Sequence, residues 1–285
     1  MSTTPAILFD RTRLRKRRQR AAADFAATDF LLQQAAESLA ESLAHLSYTF
    51  PTIVELGASG RLKPLLAHRP GTRHYYTLDS TGCFAPDILA DEEWLPLAEG
   101  SCDAIVSAGA LHWVNDLPGT LAQIHRALKP DGLFIATMPG PDSLRELRQV
   151  FAATDAARLG GLTSRIAPFP DVRDAGGLLQ RAGFALPVVD RELVTVTYPS
   201  LWALMQELRC SAQTNMLQHQ LQQFTTRGYF AEAERRYREG FMNTEGRLIA
   251  TFECVTLTGW KPAANQQQPS KRGSGQLSLG AVLGD

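Results

Sequence analysis

The chain has 285 residues, 44% of them hydrophobic and 20% charged, with 29 Lys+Arg against 29 Asp+Glu and a formal charge of zero. This is the composition of a soluble globular protein of one or two domains, and it carries no global charge signal for nucleic acid or an acidic surface. No apolar run approaches the ~18 residues that a membrane span needs, and the four cysteines (Cys83, Cys102, Cys210, Cys254) lack any C-x-x-C pair, so they read as reduced and structural in a cytoplasmic compartment, with no zinc site.

The charge is unevenly spread. "RTRLRKRRQR", Arg11 to Arg20, is strongly basic. It reads as a targeting signal, a nucleic-acid arm, a lipid-surface anchor, or a solvated helix start or partner-docking face. No apolar segment follows it, which excludes a secretory signal. Residues 1–28 are therefore expected as a basic leader. Asp29 to Leu46 reads as an amphipathic helix, with Leu32, Ala35, Ala36, Leu39, Leu43 and Leu46 at helical spacing and Thr28 as its N-cap.

Strands and helices then alternate. "TIVEL", "HYYTLD", "CDAIVSA" and "GLFIATM" are near-continuous apolar strands, as in a sheet covered on both faces. "LPGTLAQIHRALKPDG" is a helix with Pro near its start and a Lys-Pro-Asp-Gly stop. The pattern predicts an α/β, Rossmann-like, doubly wound, mostly parallel sheet. "DAGGLLQRAGF", "SLWALMQELRC" and "FAEAERRYREGF" read as further helices, and "ELVTVTY" and "LIATFECVTLTGW" as an antiparallel C-terminal strand pair at the sheet edge. The domain is expected over 29–262. The Gly/Ser/Gln-rich segment 263–285 reads as a disordered tail.

Chemistry concentrates at strand ends. "VELGASGRL", Val54 to Leu62, places Glu55 and then Gly57 and Gly60 after the first strand. Glycine there lets backbone approach a ligand closely. The dinucleotide pattern G-x-G-x-x-G is absent, and a plain strand-to-helix turn fits as well. Asp79 ends the second strand, where an acid can accept from both ribose hydroxyls of a nucleoside, or serve as a turn residue. Asp91 and Glu92 follow the third short apolar run. An aspartate there can accept from an exocyclic adenine amine while the next residue offers its backbone N–H; the alternative is a solvated acidic turn. After the fourth strand come His112, Trp113 and Asn115. His112 is a candidate general base or a loop-orienting residue, and Trp113 a stacking surface or loop packing. Asp116 reads as a helix N-cap. The other histidines are scattered, and no spacing supports a metal-dependent oxygenase.

The succession "ELG", "LD", "ADEEWLP", "CDAIVSAGALHWVNDL" and "ALKPDGLFIATM" resembles the class I S-adenosylmethionine-dependent methyltransferases. "LFDRTRLRKRRQRAA", "IHRALKPDG", "SRIAPFPDVRDAGGLLQRAGF" and "LTGWK" extend the similarity to the branch holding a mitochondrial complex I assembly factor that hydroxylates an arginine, and the malonyl-acyl-carrier-protein O-methyltransferase of biotin synthesis. The resemblance implies the class I methyltransferase sheet and S-adenosylmethionine as cofactor, held by Glu55, Gly57, Gly60, Asp79, Asp91, Glu92 and Trp113. It implies methyl transfer to a protein or carrier-bound acceptor. A second reading is an arginine hydroxylase that assists complex I assembly, and a third is a cofactor-binding scaffold. The implied partners are a complex I subunit or an acyl carrier protein, and the implied location is cytoplasmic, peripheral to the inner membrane through a partner. Family members carry glycine where Ser59 and Arg61 stand, so the loop is expected to reroute with Gly60 as its flexible point.

Overall fold

Seven strands form one sheet in the order β3-β2-β1-β4-β5-β7-β6. They are β1 (Thr52–Leu56), β2 (His74–Asp79), β3 (Ile88–Leu89), β4 (Cys102–Ala108), β5 (Leu128–Pro139), β6 (Ala185–Tyr198) and β7 (Leu248–Trp260). The computed structural model describes residues 7–25, 28–169, 171–219, 225–264 and 266. Of the segment expected as a tail, all but 263, 264 and 266 lie outside the described residues.

The first five strands are parallel, and β7 runs antiparallel between β5 and β6. This is the expected mostly parallel sheet with its antiparallel C-terminal pair. Chain order reverses between β1 and β4, so the carboxyl ends of these two strands frame the crevice where open α/β sheets bind ligands.

The two-residue period of the strands divides the core. On one face Ile53, Ala104, Val106, Leu133 and Ile135 meet Ala36, Leu39 and Leu43 of helix α2 (Phe30–Ala44) and Leu66 of α3 (Lys63–Leu66). On the other, Leu78, Ile105, Phe134 and Ala136 meet Leu121 and Ile124 of α4 (Leu117–Ala127) and Leu179 of α6 (Val172–Arg181). The expected Asp116 cap of α4 forms, its carboxylate accepting from the Gly119 N–H at 2.9 Å. The cap of α2 is Asp29 rather than Thr28, and Asp29 faces Arg61 instead of the helix amides.

A third cluster lies beyond the carboxyl end of the sheet. There α5 (Arg145–Leu159), α7 (Leu201–Cys210) and α8 (Arg227–Phe241) pack on the far half of β7 around Tyr237. Helix α5 was not legible in the sequence. It opens at Leu144 in the left-handed region, without a capping side chain, and several of its inward positions are polar: Glu146, Thr154 and Asp155 are buried. Glu146 accepts from the Thr251 N–H at 2.9 Å and its hydroxyl at 2.5 Å, so a β7 backbone group satisfies what the helix pattern hides.

The basic stretch forms helix α1 (Arg11–Ala21), capped by Asp10, which accepts from the Arg13 N–H at 2.8 Å. One of its faces packs over the carboxyl edge of the sheet, while Thr12, Lys16, Gln19 and Arg20 are exposed. Phe9 and Leu14 are buried with Trp113, Met216 and Leu217, and Asn115 Oδ1 accepts the backbone N–H groups of Leu8 and Phe9 at 2.8 and 2.7 Å.

Leu39 is 1% exposed between α2 and the sheet. Leu39→Ala is expected to cost about 3 kcal/mol through lost burial and the cavity left behind, read as a lower urea midpoint at unchanged slope.

Candidate functional site

The crevice at the β1/β4 reversal is lined by the segments after successive strands. After β1, the chain turns through Gly57 and Gly60, both left-handed at φ +79° and +78°. A Cβ on Gly57 would stand 2.1 Å from the Ala110 Cβ, so backbone conformation and space both require glycine there. Around Gly60 the space is open. Ser59 stays out of the left-handed region, so the loop places its second flexible point at Gly60, as the missing Ser59 and Arg61 glycines imply. Arg61 points away and grips Asp29 at 2.5 and 2.6 Å, tying the loop to the head of α2.

Four carboxylates converge above this turn. Glu55 is fully buried. Its Oε2 accepts from the Tyr75 hydroxyl at 2.8 Å, while Oε1 lacks a hydrogen bond of normal geometry. Burial pushes its carboxyl up to about 7, against the weaker opposing pulls of the Tyr75 hydroxyl and the Ser59 amide. Asp79 is also fully buried. Its Oδ1 accepts from the backbone and hydroxyl of Thr81 at 2.6 and 2.9 Å, and its Oδ2 from Arg18 at 2.6 Å. Burial raises the Asp79 carboxyl despite Arg18. Asp91 pairs with Arg11 at 2.7 Å and Arg15 at 3.2 Å, and the buried Glu92 pairs with Arg11 and, at 3.8 Å, with Arg18.

One face of α1 thus supplies the counter-charges of three carboxylates. Residues 11, 15 and 18 lie on a single helical stripe. A second stripe clips the far side of the crevice: Arg13 donates to the Leu217 carbonyl at 2.8 Å, and Arg17 to the Asn215 carbonyl at 2.9 Å and to the Thr214 hydroxyl. The cleft left between α1, Gly57, Ser59, Glu92 and Ala110 is only about 20 Å³.

A much larger cavity, about 300 Å³, adjoins it. Its walls are mostly apolar, from α2, α5, α7 and the ends of β5 and β7, with Leu32, Leu147, Phe151, Phe169, Met205 and Phe252 among them. Phe25, Leu32, Gly109, Trp113, Ser211 and Gln213 line both spaces, so the cleft and the chamber share a wall.

His112 lies in the 3-10 turn Leu111–Trp113 after β4 and lines the chamber. Its Nε2 pairs with Gln213 Oε1 at 3.1 Å, and its Nδ1 is buried with no partner. With Gln213 accepting, Nε2 carries the proton and Nδ1 keeps a free lone pair. Burial lowers the imidazole to about 4, so it is neutral at physiological pH. Trp113 packs edge-on against Phe9, ring centroids 5.4 Å apart, and borders both cavities. Asn115, the third of the residues singled out after the fourth strand, holds the N-terminal backbone.

The structure therefore gathers Glu55, Gly57, Asp79, Asp91, Glu92, His112 and Trp113 around one crevice, with Gly60 at its outer turn. It adds residues that sequence reasoning did not assign to the site: the arginines of α1 and Gln213. The arginine spacing 11/15/18 was the one available signal. No group of three or more His, Cys, Asp or Glu among the described residues is placed to hold a metal. No described helix is long and apolar enough to cross a membrane.

The comparisons with known proteins converge on one family. A family profile described as a methyltransferase domain matches residues 60–136. The human mitochondrial arginine-hydroxylase NDUFAF5 is 34% identical over 99% of this chain and 85% of its own length. A malonyl-[acyl-carrier protein] O-methyltransferase from Xylella fastidiosa (strain M23) is 34% identical over 90% of each chain. Among solved structures, YcgJ from Bacillus subtilis superposes with a TM-score of 0.53 at 13% identity, covering 81% of this chain and 99% of its own, which shows the shared fold.

Two outcomes follow from the carboxylates. Arg18→Ala strands a buried Asp79 charge and is expected to cost roughly 3 kcal/mol, the scale of a broken buried pair, visible in chemical denaturation at neutral pH. Glu55, raised from 4.5 to about 7, binds a proton in the folded state that the unfolded chain has released, so its contribution to stability falls as pH rises between those values. Glu55→Gln removes that contribution, and the stability difference between variant and wild type should grow in the variant's favour from pH 4.5 to 7, by up to ~1.4 kcal/mol per pH unit.

Proposed function

This chain belongs to the class I S-adenosylmethionine-dependent methyltransferase family, and on that premise we propose that it binds S-adenosylmethionine in the β1/β4 crevice and methylates a protein or carrier-bound acceptor in the adjoining chamber. One observation carries the reading: the cleft over Gly57, edged by Glu92 and by the Arg11 and Arg18 side chains that pair with Asp91 and Asp79, shares a wall with a chamber large enough for an acceptor group. A group-transfer site needs that adjacency, because transfer gains most from holding donor and acceptor in line.

The residues fit the cofactor. Glu55 offers a buried oxygen without a hydrogen bond of normal geometry beside the glycine turn, and Asp79 and Asp91 stand in the order of ribose and adenine. When bound, the cofactor supplies an activated methyl on its sulfonium. The protein's share is binding and alignment. Asp79 would exchange Arg18 for the ribose hydroxyls, and Asp91 would exchange Arg11 and Arg15 for the adenine amine. α1 therefore moves or re-pairs as the cleft opens. His112, neutral at pH 7 and part of the chamber wall, keeps its free lone pair on Nδ1 for a proton, while Gln213 sets its tautomer. The apolar walls exclude water from the transfer.

A second reading has its own support. The similarity to the arginine-hydroxylase NDUFAF5 runs over 99% of the chain, including the α1 stretch. On that reading the same crevice and chamber hold an arginine of a protein partner, and the reaction needs an oxidant and a reductant from outside the chain.

The two readings separate by product mass. The protein is incubated with S-adenosylmethionine, oxygen, a reductant and candidate acceptors, arginine-rich proteins first and acyl carrier proteins second. Methyl transfer is expected: a methylene added to the acceptor, S-adenosylhomocysteine released, and both lost in Asp79→Ala. An oxygen added to arginine without the homocysteine product would establish the hydroxylase. Tight cofactor binding with no adduct on any acceptor would leave a scaffold.

A further inference from the structure

The crevice carboxylates use only part of the charge on α1. Arg11, Arg15 and Arg18 pair with Asp79, Asp91 and Glu92, and Arg13 pairs with Asp10 at 3.2 Å. Lys16, Arg17 and Arg20 remain, and no carboxylate of the described residues pairs with them. Lys16 and Arg20 are exposed, and Arg17 is half-buried against the Asn215 carbonyl and the Thr214 hydroxyl. Asp24, the nearest acid along the chain to Arg20, makes no ion pair with it.

A further cation comes from another element. Arg209, in the last turn of α7, is exposed, pairs with no carboxylate of the described residues, and lines the chamber together with Thr214 and Asn215. Burial lowers the Arg17 guanidinium, and the like charges of Arg13, Arg209 and Arg20 lower it further, with Asp10 pulling the other way. Arg17, Arg20 and Arg209 therefore meet where α1 crosses the chamber wall, and Lys16 lies one helical turn before Arg20. The other charged side chains of that wall supply no counter-charge: Asp29 is held by Arg61, Glu207 by the Tyr198 hydroxyl, Glu253 by Arg191 at 3.6 Å and Arg165 by Asp155 at 2.9 Å. The chain as a whole is neutral, with 29 cationic and 29 anionic side chains, so this concentration is local. Like charges held this close repel, and an anionic partner relieves the repulsion.

We infer that Lys16, Arg17, Arg20 and Arg209 form a docking surface for an acidic face of the protein that carries the acceptor. The inference rests on the chamber being the acceptor site. Nucleic acid is met by cations spread along a groove or track. Here they crowd at the edge of one largely apolar chamber, into which the partner must also extend a group. Guanidinium groups match carboxylates in a two-pronged geometry. Exposed pairs add little affinity each, and their larger effect is on the rate and orientation of encounter.

Fluorescence anisotropy at low ionic strength tests the surface without turnover. The probes are a labelled alanine-based helical peptide rich in glutamate, its glutamine counterpart, a labelled DNA duplex and labelled phosphatidylglycerol vesicles. Wild type should bind the glutamate peptide at least about tenfold more tightly than the glutamine peptide, the scale of two or three exposed ion pairs, and added salt should erode that preference. Reversing Lys16, Arg20 and Arg209 together to Glu should bring it under about threefold. Arg181→Glu, at an exposed position of α6 that lines neither cavity, should leave it unchanged. The inference is overturned if wild type shows no preference, if the preference survives the triple reversal, if Arg181→Glu abolishes it equally, or if the duplex or the vesicles bind more tightly than the glutamate peptide. Should the triple reversal not fold, the same three positions changed to Gln decide by the same ratios. Binding of S-adenosylhomocysteine is measured separately by calorimetry: its absence removes the cofactor reading, and the peptide ratios still judge the docking surface.

Discussion

The candidate site depends on one electrostatic constraint: carboxylates buried at the ends of parallel strands must be neutralised. Asp79 and Glu92 are almost wholly withdrawn from water. In a low-dielectric setting an unpaired charge there would be ruinous, and the chain solves the problem with α1, whose arginines reach across from the N-terminus. A helix of mean basic character would not otherwise stay on the surface of a neutral protein. Its apolar contribution is small, essentially Leu14 and the flanking Phe9, so the ion pairs and the Asn115 clamp hold it in place.

That solution couples distant parts of the chain. The same helix that neutralises the β2 and β3 ends also holds the 214–217 segment through Arg13 and Arg17. Gln213, one residue before that segment, holds His112. Binding at the crevice and order in the chamber wall are therefore linked through one element. A ligand that replaces Arg18 on Asp79 takes away part of what fastens α1, and with it part of what fastens the wall. Binding energy of this kind can shift a conformational balance only to the extent that it differs between the two arrangements, and here the difference is the exchange of arginine for hydroxyl at a buried carboxylate.

The chamber follows a different logic. Its apolar walls come from helices that do not cover the parallel strands at all but stand beyond their ends, on β7. Polar groups there are nearly all spoken for within the protein: Asp155 by Arg165, Thr163 and Tyr229, Glu146 by Thr251, Glu207 by Tyr198. Against this background of satisfied groups, His112 of the chamber wall keeps a buried Nδ1 without a hydrogen bond.

How much of this was legible beforehand follows from the range of the forces. The strands β1, β2, β4, β5 and β7, the second half of β6 and the helices α2, α4, α6, α7 and α8 were readable, because each is written in a local period of apolar residues or in a cap within three positions, as at Asp116. The strand-end positions of Glu55, Asp79 and Asp91 were readable for the same reason: a residue that ends a parallel strand lies at the ligand edge wherever the sheet goes. Helix α5 was hidden because its inward face carries Glu146 and Asp155, whose partners lie on β7 and in the 163–165 loop. The pairing of Arg18 with Asp79 spans 61 positions and that of His112 with Gln213 spans 101, and no local pattern records either. The sequence by itself determined the alternation of elements, and with it the sheet and the edge where chemistry gathers. Only the tertiary structure decided that the basic stretch closes that edge, because a charge finds its partner through space, and burial, not order in the chain, decides which charges must find one.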